Sequence, residues 1–373
     1  MRVPVFKPLL EPQDIANCVE SLERGWLGMG SYVGQFEEAL KRELNTPEKF
    51  VVAVNTGHSA LHLGLLLAGV GPDDEVITPS FNNIADLQAI RATGAEPVFC
   101  DILPDTLCID PESARSVVSS RTRVIIAMDY GASICDHDRI NAVAQTCGAR
   151  VLHDAAHSFG SAVNGRKIGS FSDIAMFSFD PVKNITTIDG GALVVNTHAE
   201  ATWLQEARLI GMGQPAEVMY QDKRAWTYDV SHIGYRYHMA NLHAALGLAQ
   251  LDKLERIGRT RRATYRAYND SFKALPALTL PPDLSDEIVP FIYFVRVEAE
   301  LRQQFRDYLH AAGVDTGIHW QPGHWFSYFK DCRRSDLSVT ERIGHEIVTL
   351  PLHSQMDVGM VSAVIAAVNG FFA

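Results

Sequence analysis

One lysine, Lys183, stands in the turn Asp180-Pro181-Val182-Lys183-Asn184, between an apolar run over residues 173–179 and a second over 192–195, with Gly190-Gly191 just behind it. An amine at a strand end beside Phe177 and Phe179 loses part of its preference for the charged form. A neutral amine attacks a carbonyl carbon to form a Schiff base. The competing reading is a solvated loop lysine, because lysine is seldom found buried. The rest of the chain has to decide between them.

The stretch Val151-Leu152-His153-Asp154-Ala155-Ala156-His157 sets Asp154 where an apolar run ends. In α/β sheets ligands gather at that edge of a parallel strand. A carboxylate there can pair with a pyridinium nitrogen and keep it protonated, which makes the ring of pyridoxal phosphate an electron sink. A local cap is a second reading of Asp154. A metal site is a third, with His153 and His157 four apart around it. The metal reading needs one helix to carry both histidines, yet His153 ends an apparent strand, so no metal is expected. A further candidate is the turn Asn55-Thr56-Gly57-His58-Ser59, whose small polar residues open a helix. Free backbone N–H groups there could hold a phosphate, and an ordinary N-cap would look the same. Ser178 could add a hydroxyl or be a satisfied polar group in its strand.

Elements of alternating type must position these residues. Short apolar runs at residues 50–54, 75–78, 97–101, 123–128 and 150–153 read as buried strands, separated by helical stretches near 59–68, 84–93, 111–118 and 137–147. That alternation predicts an α/β fold: a mostly parallel sheet covered by helices on both faces. Strands at 173–179 and 192–196 bracket the lysine turn. From Met239 a single long helical pattern runs through Leu254 to Tyr265 and reads as a connector. Beyond it, a strand at 291–297, a helix at 301–312 and a last helix after Met356 predict a smaller α/β unit. The expected division is an amino-terminal arm and large domain over residues 1–250 and a small domain over 251–373.

Composition narrows the function classes. The 373 residues are 47% hydrophobic, and 33 lysines and arginines stand against 44 acidic residues, a net charge of −11. No global basic field would draw nucleic acid or an anionic membrane, so a phosphate must be held locally. Six cysteines without a C-x-x-C pair argue against a zinc ribbon or a disulfide framework and point to a reducing, cytoplasmic setting. The first residues lack an apolar signal core, and no run approaches the roughly 18 apolar residues of a membrane helix. The G-x-G-x-x-G, G-x-x-x-x-G-K-[ST] and G-x-S-x-G patterns are missing where NAD, ATP or a hydrolase nucleophile would need them.

The ordered set of segments resembles the DegT/StrS family of sugar aminotransferases, fold-type I pyridoxal-phosphate enzymes, over nearly the whole chain. It includes Gly25-Trp26-Leu27-Gly28-Met29-Gly30, Phe36-Glu37, the Gly57 turn with Ala60-Leu61-His62-Leu63, and Asp74-Glu75-Val76-Ile77-Thr78-Pro79-Ser80-Phe81. Gly94-Ala95-Glu96-Pro97-Val98-Phe99-Cys100-Asp101, the Asp154 to His157 segment and Phe177-Ser178-Phe179 through Lys183 to Gly190-Gly191 follow in order. Ala244-Ala245-Leu246-Gly247-Leu248-Ala249-Gln250-Leu251 and Leu350-Pro351-Leu352-His353 complete it. By that resemblance Lys183 carries the cofactor as a Schiff base and shuttles the proton, Asp154 pairs with the pyridine nitrogen, His157 sits near the ring oxygen, and Ser178 with the Gly57 turn holds the phosphate. A dehydratase branch of the family has histidine in place of this lysine.

The chain departs from the family pattern in three places, the last of them at two residues. His58 replaces a threonine or serine, and Asn83 stands where an aromatic commonly stacks on the ring. Arg236 and His238 replace the usual asparagine and arginine in a segment that typically reaches the neighbouring subunit's cofactor. Arg236 is therefore expected to meet the phosphate across a dimer interface and, with His58, to compensate for the missing neutral contacts; a surface salt bridge is the alternative. The loop Gly317-Ile318-His319-Trp320-Gln321-Pro322-Gly323-His324-Trp325 resembles the family's substrate-facing loop, with His319 and His324 as candidate substrate contacts; core packing of its tryptophans is equally open. The resemblance implies a homodimeric, pyridoxal 5'-phosphate-dependent aminotransferase that moves an amino group from an amino acid, glutamate first, to a nucleotide-linked 4-keto or 3-keto-6-deoxy sugar. Cyclitol transamination, sugar dehydration and a non-enzymatic regulator that binds cofactor or sugar nucleotide remain as alternatives.

Overall fold

The computed structural model describes residues 2–213, 216–223 and 225–373. Two amino-terminal helices, α1 (Pro12–Glu23) and α2 (Ser31–Glu43), precede a seven-stranded sheet whose successive connections carry α3 (Gly57–Leu67), α4 (Ile84–Ala92), α5 (Pro111–Ser116) and α6 (His137–Gln145). Its strands are β1 (Phe50–Val54), β2 (Glu75–Pro79), β3 (Glu96–Cys100), β4 (Thr122–Met128), β5 (Arg150–Asp154), β6 (Ile174–Ser178) and β7 (Gly191–Val195), in the order β1-β7-β6-β5-β4-β2-β3. Every neighbouring pair is parallel except the two that β7 makes, with β1 and β6. The carboxyl ends of the other six strands therefore point the same way, and ligands gather along that edge in such sheets.

Strand residues alternate between two cores. On β1, Val52 and Val54 pack with α3 (Gly57–Leu67) and α7 (His198–Ala207), whereas Val51 and Ala53 pack with α2 and α8 (Asn241–Leu251). Period-two alternation with both faces apolar is what reads in sequence as an unbroken hydrophobic run. On one face of the sheet, α3 lies close against β5 and β7 at Gly64, where a Cβ would come 3.0 Å from Leu152 and 3.2 Å from Leu193.

The long helix expected from Met239 is two helices, α8 and α9 (Leu254–Phe272). Asp252 and Lys253 separate them without a glycine or proline. Lys253 is drawn inward as the ionic partner of buried Asp14, which also accepts 2.9 Å from Gln250 Nε2. A buried carboxylate without such a partner would be costly, and α9 leads from this break to the carboxyl-terminal unit.

That unit holds β8 (Tyr293–Arg296) paired antiparallel with β9 (Ile347–Leu350), between α10 (Ala299–Ala311), α11 (Ser338–Glu346) and α12 (Val358–Phe372). Val3 forms a parallel bridge with Val314 and shares the core of this unit. Phe291, Ile292 and Ile347 in turn pack into the core beneath β2, β4 and β5. The two units are thus clasped across the sheet's carboxyl edge. Among the described residues, no helix is long and apolar enough to cross a membrane.

Candidate active site

Along that edge a cavity of about 620 Å³ opens, and Lys183, Asp154, His157, Ser178, Gly57, His58, Asn83 and His319 all line it. They arrive from strand ends and first helical turns on five separate parts of the chain. Phe6 from the amino-terminal arm and Phe291 and Trp320 from the carboxyl-terminal unit also line the cavity, the Phe291 and Trp320 rings lying against His157 with centres 4.4 Å and 5.9 Å away.

Lys183 sits in a turn held by its own N–H to the Asp180 carbonyl at 3.0 Å, while Asp180 Oδ1 accepts from the Val182 N–H at 3.1 Å. The lysine amine lies 4.4 Å from the centre of the Phe291 ring. Burial brings its pKa down to about 8, against the opposing pull of Asp154, Asp180 and Asp86. The side chain keeps some exposure, through the cavity.

Asp154 ends β5 and is buried. Its Oδ1 accepts from the Ala156 N–H at 2.9 Å, so the local cap and an exposed face toward the cavity coexist in one residue. Burial raises its pKa, countered by that N–H and by Lys183. His157 is pushed well below the usual imidazole range by burial and by Lys183. Its Nδ1 accepts from the Gly131 N–H at 3.3 Å, which leaves the proton of the neutral ring on Nε2. His153 faces elsewhere: it bonds Asp129 Oδ2 and the Ser172 hydroxyl, each at 2.7 Å. His153 and His157 therefore do not converge as a ligand pair. His137 does lie near Asp129 and His153, but Asp129 is already occupied by the Ser158 hydroxyl at 2.6 Å and the Cys135 N–H at 2.9 Å.

The turn before α3 meets both of its readings. Thr56 Oγ1 accepts from the Ser59 N–H at 3.0 Å as a true N-cap. The N–H groups of Gly57 and His58 ahead of it have no intrahelical acceptor and border the cavity. Gly57 is required because a Cβ there would come 2.7 Å from Ser178 Cβ. Its absence lets the Ser178 strand end and the helix start meet, which makes a cradle of donors suited to an anion. Gly191 serves the same contact from β7, where a Cβ would lie 2.6 Å from the Thr56 carbonyl oxygen.

The departing residues have structural reasons. His58 is exposed at the rim, with Nδ1 3.1 Å from the Ala85 carbonyl. Asn83 is the N-cap of α4 (Ile84–Ala92), its side-chain oxygen accepting from the Ala85 N–H at 2.9 Å. His319 lines the cavity with Nδ1 2.9 Å from the Thr349 hydroxyl, its pKa brought down to about 4 by burial and Lys183.

Two expected site residues lie elsewhere. His324 turns into the interior, where Nδ1 is 2.7 Å from the Ser80 hydroxyl and Nε2 is 3.3 Å from Glu341. The cause is Gly323, whose N–H reaches the Ser80 carbonyl at 2.6 Å and where a Cβ would sit 2.6 Å from Leu87; the loop is pinned to β2 and cannot present His324 to a substrate in the cavity. The two tryptophans divide: Trp320 lines the cavity and Trp325 packs on His345, ring centres 4.6 Å apart. Arg236 is exposed in a separate depression of about 810 Å³, with Trp26, Met29 and Trp226. Within one chain it does not reach the Lys183 cavity.

Two residues of the site went unread in the sequence, Asp86 and Phe291. Asp86 is fully buried on the first turn of α4, beside Asp154. A first-turn aspartate ordinarily just complements the helix dipole; the signal that sets this one apart is its place among Ala85, Leu87 and Ile90 on a buried helix.

The sequence profile of the DegT/DnrJ/EryC1/StrS aminotransferase family matches residues 8–369. The chain belongs to this family. A relative in it, the spore coat polysaccharide biosynthesis protein SpsC of Bacillus subtilis (strain 168), is 34% identical over 376 residues, covering 98% of this chain and 96% of SpsC. The aminotransferase TlmJ from Streptoalloteichus hindustanus is 30% identical and superposes with a TM-score of 0.90, over 99% of this chain and 98% of TlmJ. Spr1654 from Streptococcus pneumoniae, described as a candidate sugar aminotransferase and solved in a PLP form, is 26% identical with a TM-score of 0.90, over 99% and 98%. Membership accounts for the fold and for the enzyme class: this is an aminotransferase.

Proposed function

We propose that the protein is a pyridoxal 5'-phosphate-dependent aminotransferase that moves an amino group from an amino acid, glutamate first, to a nucleotide-linked keto sugar. The observation that carries this reading is a buried acid and a lysine amine near neutrality in one cavity of fitting size. The residues present suit the cofactor: an amine for its aldehyde, a carboxylate for its ring nitrogen, a neutral imidazole donor, and an anion cradle at the Gly57 and Ser178 contact. Pyridoxal phosphate, when bound, supplies the aldehyde that carries the amino group and a ring that accepts electrons.

The chain's own residues do the rest. Lys183 would hold the cofactor and, once displaced by the amino donor, move a proton at Nζ; an amine whose pKa is brought down to about 8 is suited to both directions of that transfer. Asp154 would hold a proton on the ring nitrogen, and His157 Nε2 would donate to the ring oxygen. Phe291, Trp320 and Phe6 exclude water from one wall. The sugar class rests on the family, on SpsC, a polysaccharide biosynthesis protein, and on Spr1654, described as a candidate sugar aminotransferase. With glutamate and a panel of 4-keto and 3-keto-6-deoxy nucleotide sugars, the purified protein is expected to release 2-oxoglutarate. Turnover on keto-cyclitols alone, or loss of water without amino transfer, would redirect the reading; a protein that stays colourless with cofactor would end it.

We further infer a homodimer with shared sites. Leu27, Trp226 and Ile233 are exposed around or near the depression that holds Arg236, which is a face that a second copy of the chain could cover while Arg236 reaches that copy's phosphate. Arg236→Ala is expected to weaken cofactor retention about 10-fold or more, the worth of a charge-assisted contact. Unchanged retention would leave Arg236 as a surface residue. Free cysteines at all six positions suit a cytoplasmic setting.

A further inference from the structure

Asp86 has no part in the reaction as derived above, yet it is buried in the wall of the cavity. Its Oδ2 accepts from Asn82 Nδ2, and that amide spends its other hydrogen on Thr78 Oγ1 at 3.0 Å. One oxygen of Asp86 is thereby fixed as an acceptor. Oδ1 is buried and has no hydrogen-bond partner among the described residues. The carboxyl faces that of Asp154 within hydrogen-bonding reach, and Asp154 Oδ1 is anchored on the Ala156 N–H. Two carboxylates this close in a buried site cannot both be charged.

The surroundings offer little relief. Lys183 is the cation facing the pair, and Asp180 and Asp189 also line the cavity. His157 and His319 are held neutral by burial and Lys183. His58 stands at the exposed rim on α3. We propose that Asp86 is a positioning residue: it shares one proton with Asp154 and, as the donor of that pair, fixes the Asp154 carboxylate for a cationic ring nitrogen. The positioning role rests on the cofactor reading above; the shared proton does not.

Burial and the Asp154 charge raise the Asp86 pKa in the folded protein. A carboxyl so raised binds more protons folded than unfolded. Its stabilisation is full below the unfolded value of about 3.9 and is lost as pH rises through the folded value. Asp86→Asn keeps a donor and cannot ionise. Thermal melts of the full chain freed of cofactor are therefore expected to show wild type losing about 2 °C or more relative to Asp86→Asn between pH 5 and pH 8. A gap between the two that stays constant with pH, as a merely structural role would give, overturns the shared proton. In a second measurement Asp86→Leu is expected to retain pyridoxal phosphate about 10-fold more weakly than wild type, and Asp86→Asn within about 3-fold of it. Equal retention by the leucine variant overturns the positioning role. A wild type that binds no cofactor overturns the functional reading and the positioning role together, and the melting comparison still decides the proton pair.

Discussion

Lys183→Ala is expected to abolish the visible absorption that wild type should acquire with pyridoxal phosphate and to lower amino transfer by at least about 10⁴-fold, since in the proposed reading one side chain would supply both the covalent hold and the proton transfer. The structure adds a pH signature. A fall in the amine pKa from 10.5 to about 8 raises its neutral fraction at pH 7 about 300-fold. Colour development by wild-type protein freed of cofactor should therefore quicken as pH rises through about 8 and then level off. An alanine variant that colours and turns over like wild type would remove Lys183 from the reaction. A wild-type profile still climbing steeply toward pH 10 would mean that burial beside Phe291 does not depress the amine.

Asp154→Asn is expected to lower turnover by about 10²–10⁴-fold, as loss of a group that holds a proton in place does, while the protein stays folded and coloured. Asparagine keeps the volume and can accept the 2.9 Å bond from Ala156. It removes the charge that helps to keep Lys183 protonated. The profile for colour development should accordingly move to lower pH in this variant. Turnover within about twofold of wild type would show that the ring nitrogen needs no acid there.

The strands that carry the site were legible because each is a short apolar run closed by a polar residue. β5 ends at Asp154 and β6 at Ser178, as their patterns require when both faces of a sheet are covered. The Gly57 turn was legible in its residues but not in its cause, since the contact that forbids a Cβ comes from Ser178, which is far along the chain. What stayed hidden depends on approach between distant segments. Nothing local marks Phe291 as the ring against the lysine, or Asp86 as the neighbour of Asp154. The helix break at Asp252 and Lys253 answers a buried Asp14 in α1, not a breaker residue. His324 sits in a loop whose composition suited a sugar, and only the fit of Gly323 against β2 and Leu87 turns it inward.

The bridge from Val3 to Val314 and the 2.8 Å bond from Arg2 to Asp315, 313 positions away, set a timetable for the nascent chain. Strands β2 to β5 have partners close in sequence and can pair while translation continues. Phe6, by contrast, must wait at the ribosome's side until the segment near residue 314 has emerged before it can take its place in the chamber wall. Phe291 and Trp320 arrive as late. The lysine is thus synthesised long before its pocket is walled, and on the reading proposed above any loading with cofactor would belong to the finished chain.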